Sequence, residues 1–311
     1  MDIKSAFLNG DLENKIFMRI PPGVETKEGQ VWLLHKALYG LKQASREWYL
    51  KLKGQLEELD FKRSDADHRV FTKIIDGKLF VIAIYVDNFL LFLSNISHIR
   101  TVKEDLKRHF EMKDLGEAKW ILQMKIERTD IDNRMRKLTI SQEQYIKTIL
   151  EQHGMADCKP AKTPMAANLQ LPTLTEVKID ITEYQRYIRS LMYLMICTCP
   201  DIVYSVGVLS RHVACPGRTH MQAVKRVFQY LRRTSHYGLE FQANNSNDAS
   251  SIVYVDSDWG GDHMDRKSIS GFAVLLDEGA ILWGSKKQTL VSLSTIEAEF
   301  IATSTAVKEI L

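Results

Sequence analysis

Ile84-Tyr85-Val86-Asp87-Asn88-Phe89-Leu90 sets the polar pair Asp87-Asn88 between two apolar runs, and its reading decides the fold of the first half of the chain. Phe80 to Ile84 and Phe89 to Leu93 are β-prone, so the pattern predicts two strands joined at Val86-Asp87-Asn88. Apolar runs without alternation suit strands covered on both faces. An Asp in such a turn commonly does no more than cap it. A second Asp held close by would change its meaning, and Asp2, near the start of a short strand read over residues 2–8 and ending at the Asn9-Gly10 turn, is the candidate.

Helices flank the hairpin. From Ala44, the residues Trp48, Leu52, Leu56 and Leu59 recur at helical spacing on a charged background, which predicts an amphipathic helix docked by one stripe. Ser97 is placed to cap a second helix with the stripe Ile99, Val102, Leu106 and Phe110. Two helices and a hairpin sheet make an α+β domain. Lys159 to Thr173, with Pro160, Pro164 and Pro172, reads as a linker. Helices are expected over 184–197, 200–213 and 219–234. In the last, Val224, Val227, Phe228 and Leu231 share one face, and Lys225, Arg226, Gln229, Arg232 and Arg233 the other. That basic face is either a solvated surface or a surface lying along a phosphate backbone. After the polar break Asn244 to Asn247, strands are expected at Ile252 to Asp256 and Gly271 to Leu276, with Gly279 turning the chain into Ile281 to Trp283. A final helix starts at Ser294, with Glu297 at capping-box spacing.

Composition bounds the function. With 311 residues, 45% of them hydrophobic, the chain has room for about two domains. Its longest apolar run, Leu79 to Val86, is far short of the roughly 20 residues a membrane span needs. No basic-then-apolar leader opens the sequence, so an intracellular, cytoplasmic or nuclear location is expected, with no membrane partner. Four irregularly spaced cysteines suit reduced thiols, and Cys197, Cys199, His212 and Cys215 match no standard zinc spacing. A net charge of +3 permits a polyanionic partner without requiring one. Asp2 and Asp87 together would make an oxygen-rich site for Mg²⁺ (or Mn²⁺), the kind of ion that activates a hydroxyl and steadies a leaving phosphate.

Many blocks of the chain, among them MDIKSAFLNGDLE, KALYGLKQASREWY, IYVDN, FEMKDLGEAKWIL, PDIVYSVGVLSR, AVKRVFQYLRRT, YVDSDWGGD and LSTIEAEFIA, resemble copia-type retrotransposon Pol polyproteins in matching order. The resemblance runs almost from end to end. It implies a reverse-transcriptase palm with thumb remnant over 1–158, a linker over 159–183, a helical connection over 184–244 and an incomplete RNase H-like α/β domain over 245–311. It further implies that Asp2 and Asp87 are catalytic metal ligands and that Phe7 sits under the incoming sugar. Lys42 and Gln43, in the Gly40 to Gln43 strip, would contact template, Tyr85 would contact substrate, and Trp120 to Ile126 would hold the primer end. Asp256 matches the first RNase H carboxylate. Glu299 is the preferred match for the second, because Glu297 is placed to bond back to the backbone of Ser294. Lys225, Arg226, Arg232 and Arg233 would meet nucleic acid.

Departures from the family pattern set the functional expectations. Asn88 stands where the family has a second hairpin Asp, and a neutral amide is a poorer ligand for divalent ions. The chain starts immediately before Asp2, without the family's fingers strands, and stops before its remaining RNase H carboxylates. Gln123, Arg189, Cys199 and Met221 replace a usual Gly, Gly, Arg and Trp. The expected function is a fragment of an RNA-directed DNA polymerase with RNase H, of impaired or absent catalysis. The alternatives are an active Mg²⁺-dependent enzyme working through Asp2 and Asp87, a non-catalytic nucleic-acid-binding remnant, and a poorly folding pseudogene product. The implied partners are RNA template, DNA primer, RNA–DNA hybrid and, for an active enzyme, dNTP.

Overall fold

The computed structural model describes residues 1–311 apart from 26, 28, 94, 133–134, 168, 170, 173–178, 244–250 and 263. It divides into two units, Met1–Ala118 and Lys119–Leu311, so the expected boundary at 158/159 falls inside the second. The expected break at Asn244 to Asn247, and part of the expected linker, lie outside the described residues.

The first unit runs β1 (Asp2–Ile3), a 3-10 helix (Ala6–Asn9), β2 (Asp11–Arg19), β3 (Val31–Lys36), α1 (Ala44–Glu58), β4 (Lys62–Arg63), β5 (Val70–Ile75), β6 (Lys78–Tyr85), β7 (Asn88–Phe92), α2 (Ile96–His109) and β8 (Met112–Lys113). Six strands form one sheet in the order β4-β5-β6-β7-β1-β8, and β2 and β3 pair as a separate ribbon. Phe71, Phe80, Ile82 and Phe89 of the sheet bury against Trp48, Leu52 and Leu56 of α1 and Val102 and Leu106 of α2. Among the described residues, burial is uneven between the two faces of the sheet. Leu79 is 56% exposed and Ile74 64%, so the continuous apolar runs hide an alternation that hydrophobicity alone did not reveal.

Two local expectations change. The strand read over residues 2–8 ends at Ile3, because Ser5 turns at φ +51 and the Asn9 amide bonds back to the Ala6 carbonyl at 3.2 Å, closing a 3-10 helix instead. The cap of α2 is Asn95, whose Oδ1 accepts the Ser97 N–H at 2.9 Å, so the Asx turn begins two residues earlier than the serine suggested. Gly10 follows the 3-10 helix, and a Cβ there would stand 2.9 Å from the Trp48 nitrogen in α1. Gly10→Ala is therefore expected to cost about 3 kcal/mol by urea unfolding, since backbone must move to admit the methyl.

The second unit runs β9 (Trp120–Ile121), β10 (Met124–Asp132), β11 (Met135–Ser141), α3 (Glu143–Gln152), α4 (Ile181–Cys197), α5 (Val203–Ser210), α6 (Arg218–Thr234), β12 (Gly238–Ala243), β13 (Ser251–Ser257), β14 (Ile269–Leu276), β15 (Gly279–Lys287) and α7 (Thr295–Ile310). Its sheets are ordered β12-β11-β10-β9 and β13-β14-β15. Leu191 and Leu194 of α4, Val206 and Leu209 of α5, and Val224, Val227, Phe228 and Leu231 of α6 bury one another. The fully buried Tyr184 donates its hydroxyl to the Leu209 carbonyl at 2.9 Å. The helix expected over 200–213 opens as a 3-10 turn, Pro200–Ile202, before α5. Asp277 and Glu278, both at positive φ, make the turn after β14, and Gly279 begins the next strand. No helix among the described residues is long and apolar enough to cross a membrane.

Candidate active site

The hairpin tip lies one residue earlier than the polar pair suggests. Strands β6 and β7 close at Tyr85 opposite Asn88, leaving Val86-Asp87 as the two-residue turn. Strand β1 then pairs with β7 so that Asp2 lies opposite Asn88. The Phe89 N–H donates to the Met1 carbonyl at 2.8 Å and the Ile3 N–H to the Asp87 carbonyl at 2.9 Å. Residues opposite one another in an antiparallel pair share a face, so Asp2 and Asn88 are side-chain neighbours. The Asn88 amide in turn donates to Asp87 Oδ1 at 2.9 Å. All three side chains are half-buried. The register thus gathers two carboxylates and one amide at the sheet's inner hairpin, and among the described residues no cluster of three or more His, Cys, Asp or Glu forms a metal site.

The other residues of this unit singled out by sequence sit as follows. Phe7 lies in the 3-10 helix after β1, its ring 4.4 Å from that of Tyr39. Lys42 is exposed, and Gln43 opens α1 without capping it through its side chain. Tyr85 is 48% exposed beside the turn. Sequence reading missed a hydrogen bond of Trp48, which entered only as core. Its Nε1–H donates to the Val86 carbonyl at 2.8 Å, and the signal available was that a buried indole needs an acceptor.

In the second unit, Ile121 and Met124 close the β9–β10 hairpin around Leu122-Gln123, both at positive φ (47° and 61°). The Tyr193 hydroxyl donates to the Leu122 carbonyl. A left-handed pair explains why glycine suits position 123. Gln123→Gly is expected to raise stability by about 1 kcal/mol in chemical unfolding, because it removes a left-handed penalty of that order.

The basic face of α6 is partly occupied. Arg226 donates to the Thr163 hydroxyl at 3.0 Å, and Arg232 donates to the Cys158 carbonyl and lies 3.8 Å from Asp157. The Ala161 N–H adds a bond to the Gln229 carbonyl at 3.1 Å. Residues 157–163, which span the expected start of the linker at 159, are thus strapped onto α6, while Lys225 and Arg233 remain exposed. Asp256 lies on β13, an exposed residue at the edge of a cleft of about 320 Å³ that also takes in Tyr204, Asp258, Gly271 and Phe272. Burial, reinforced by the nearby Asp258 carboxylate, pushes the Tyr204 hydroxyl up. Glu299 accepts at 3.4 Å from the N–H of Ser257, the residue that follows Asp256 on β13. Glu297 accepts from the Leu293 N–H at 2.7 Å, one residue before the expected Ser294, while the Ser294 hydroxyl accepts from the Glu297 N–H at 3.1 Å.

Residues 1–167 match the family model described as reverse transcriptase (RNA-dependent DNA polymerase), and the chain belongs to that family. It is 41% identical over its whole length to a retrovirus-related Pol polyprotein from transposon TNT 1-94 of Nicotiana tabacum. It is 35% identical, over 96% of its length, to the Pol polyprotein from transposon RE1 of Arabidopsis thaliana. Within the family it stands with the copia-type Pol polyproteins. The chain spans only 24% of the tobacco relative and 20% of the Arabidopsis one. A putative transposon Ty5-1 protein of Saccharomyces cerevisiae, 30% identical, is matched over the full length of both chains.

Proposed function

We propose that the chain is a reverse transcriptase that binds a primed RNA template and transfers nucleotides slowly, because Asn88 weakens a centre built on Asp2 and Asp87. The observation that carries the reading is the placement of Asn88, opposite Asp2 in the strand register and donating to Asp87 Oδ1. Reverse transcriptases ordinarily use a divalent ion. Two half-buried carboxylates, one on β1 and one in the turn between β6 and β7, fit one Mg²⁺, which is commonly held by one or two carboxylates with the rest of its shell from water and phosphate. Asp2 and Asp87 would hold that ion, and bound there it supplies charge neutralisation at the reacting phosphate. The Asn88 amide lowers the charge that a second hairpin carboxylate would add and occupies one Asp87 oxygen. Phe7, its ring tilted against that of Tyr39, supplies an apolar surface for the incoming sugar, while Lys42, Gln43 and Tyr85 are exposed or half-exposed side chains able to meet template and substrate.

For the second unit, Asp256 and Glu299, the latter bonded to the next residue along β13, support an RNase H-like reading in which both carboxylates hold a divalent ion against the hybrid. Lys225 and Arg233 supply phosphate contacts, with Arg226 and Arg232 committed to holding residues 157–163. Hybrid binding through those two contacts should therefore fall roughly tenfold between about 50 and 200 mM salt. A filter-binding titration checks it. Lys225→Ala with Arg233→Ala should flatten that slope, and an unchanged slope would remove α6 from the interface.

A further inference from the structure

Val86 is a β-branched residue held at φ +56, a region that L side chains, β-branched ones above all, avoid. Something must hold it there. The turn it forms carries Asp87, so whatever fixes Val86 also fixes the direction of the carboxylate. The Ile3 N–H already holds the Asp87 carbonyl at 2.9 Å. One peptide earlier, the Trp48 indole N–H holds the Val86 carbonyl at 2.8 Å. Trp48 is itself immobilised: it is 3% exposed, and the Phe110 ring meets it edge-on at 5.3 Å. An aromatic donor on a rigid helix is therefore fastened to a strained turn. The same device recurs in the second unit, where the Tyr193 hydroxyl of α4 holds the carbonyl of Leu122, another non-glycine residue at positive φ.

We propose that Trp48 is a positioning residue for Asp87: its indole N–H holds Val86 in the left-handed conformation and so keeps the Asp87 carboxylate beside Asp2. The inference rests on the reading of Asp2 and Asp87 as an ion-binding pair, and its test separates the two. Trp48→Phe keeps an aromatic ring in the core and deletes the donor together with part of the indole's bulk, a packing loss that Val86→Gly does not restore. Val86→Gly removes the need for the clamp, since glycine accepts positive φ without penalty.

The full chain, Trp48→Phe, Val86→Gly, the double variant and Asp87→Ala would be compared by two measurements. These are Mn²⁺ affinity from electron paramagnetic resonance titration and hydrogen exchange of the Ile3 amide. Trp48→Phe is expected to weaken Mn²⁺ at least fivefold and to speed Ile3 exchange at least tenfold. Adding Val86→Gly should return both to within about twofold of the parent, a rescue that a merely structural packing role would not give. Ile3 exchange unchanged in Trp48→Phe, or no rescue in the double variant, overturns the positioning role. Mn²⁺ binding that is absent, or indifferent to Asp87→Ala, overturns the ion-binding reading instead, and the exchange data then decide the role of Trp48 alone.

Discussion

Asn88→Asp is expected to tighten Mg²⁺ or Mn²⁺ binding at least tenfold and, without ions, to lower the unfolding midpoint of the protein. Both follow from the register. Asp2 lies directly opposite position 88, and the native amide donates to Asp87 Oδ1 at 2.9 Å. A carboxylate at 88 would exchange that hydrogen bond for repulsion from two neighbours, and like charges directly opposite on a sheet destabilise by up to about 1 kcal/mol. A divalent cation relieves the repulsion and binds the folded state, so the same variant should gain more from added ion than the parent does. Thermal unfolding with and without Mg²⁺ gives both signs in one experiment. A midpoint that is unmoved in either condition would place position 88 too far from Asp2 and Asp87 to matter.

Acid should destabilise the second unit through His220. The ring is fully buried, accepts the Gly217 N–H on Nδ1 at 2.9 Å, and stacks on His212 with centroids 4.0 Å apart. Burial, then the neighbouring His212, push its pKa down to about 4, with the Pro172 backbone opposing. The unfolded chain takes up a proton near the ordinary histidine value of about 6.5, whereas the folded chain resists until about 4. The contribution is therefore present above about pH 6.5 and lost as pH falls toward 4, a loss of about 3 kcal/mol. Protonation also turns Nδ1 from acceptor to donor, so the start of α6 loses the bond from Gly217. His220→Gln keeps an acceptor three residues into the helix without a titrating proton. Urea unfolding at pH 7.5 and pH 4.5 should show a markedly smaller acid loss in that variant, and equal losses would sink the assignment.

Periodicity carried the parts of the fold where one face is apolar and the other charged. The α1 stripe of Trp48, Leu52 and Leu56 and the α6 stripe of Val224, Val227, Phe228 and Leu231 both lie in cores as read. It failed where a side chain competes with the ladder, as at Asn9, or where polar identity does not reveal which residue turns, as at Val86-Asp87. The hairpin pattern already put Asp2 and Asp87 forward as a pair, and the ordered blocks of family resemblance strengthened that reading and added Asp256 and Glu299, which no spacing offered. The partners of those residues were not legible. That Asn88 would bond Asp87, that Trp48 would clamp Val86, and that Arg226 and Arg232 would be spent on residues 157–163 are consequences of tertiary placement, to which a linear pattern is blind.

Primer extension on an RNA template with Mg²⁺ or Mn²⁺, comparing the parent chain with Asp87→Ala and Asn88→Asp, tests the proposed slow polymerase most directly. The account predicts weak extension by the parent, none by Asp87→Ala, and at least tenfold faster extension by Asn88→Asp. Extension by Asp87→Ala at the parent's rate, or Asn88→Asp no faster than the parent, would contradict it.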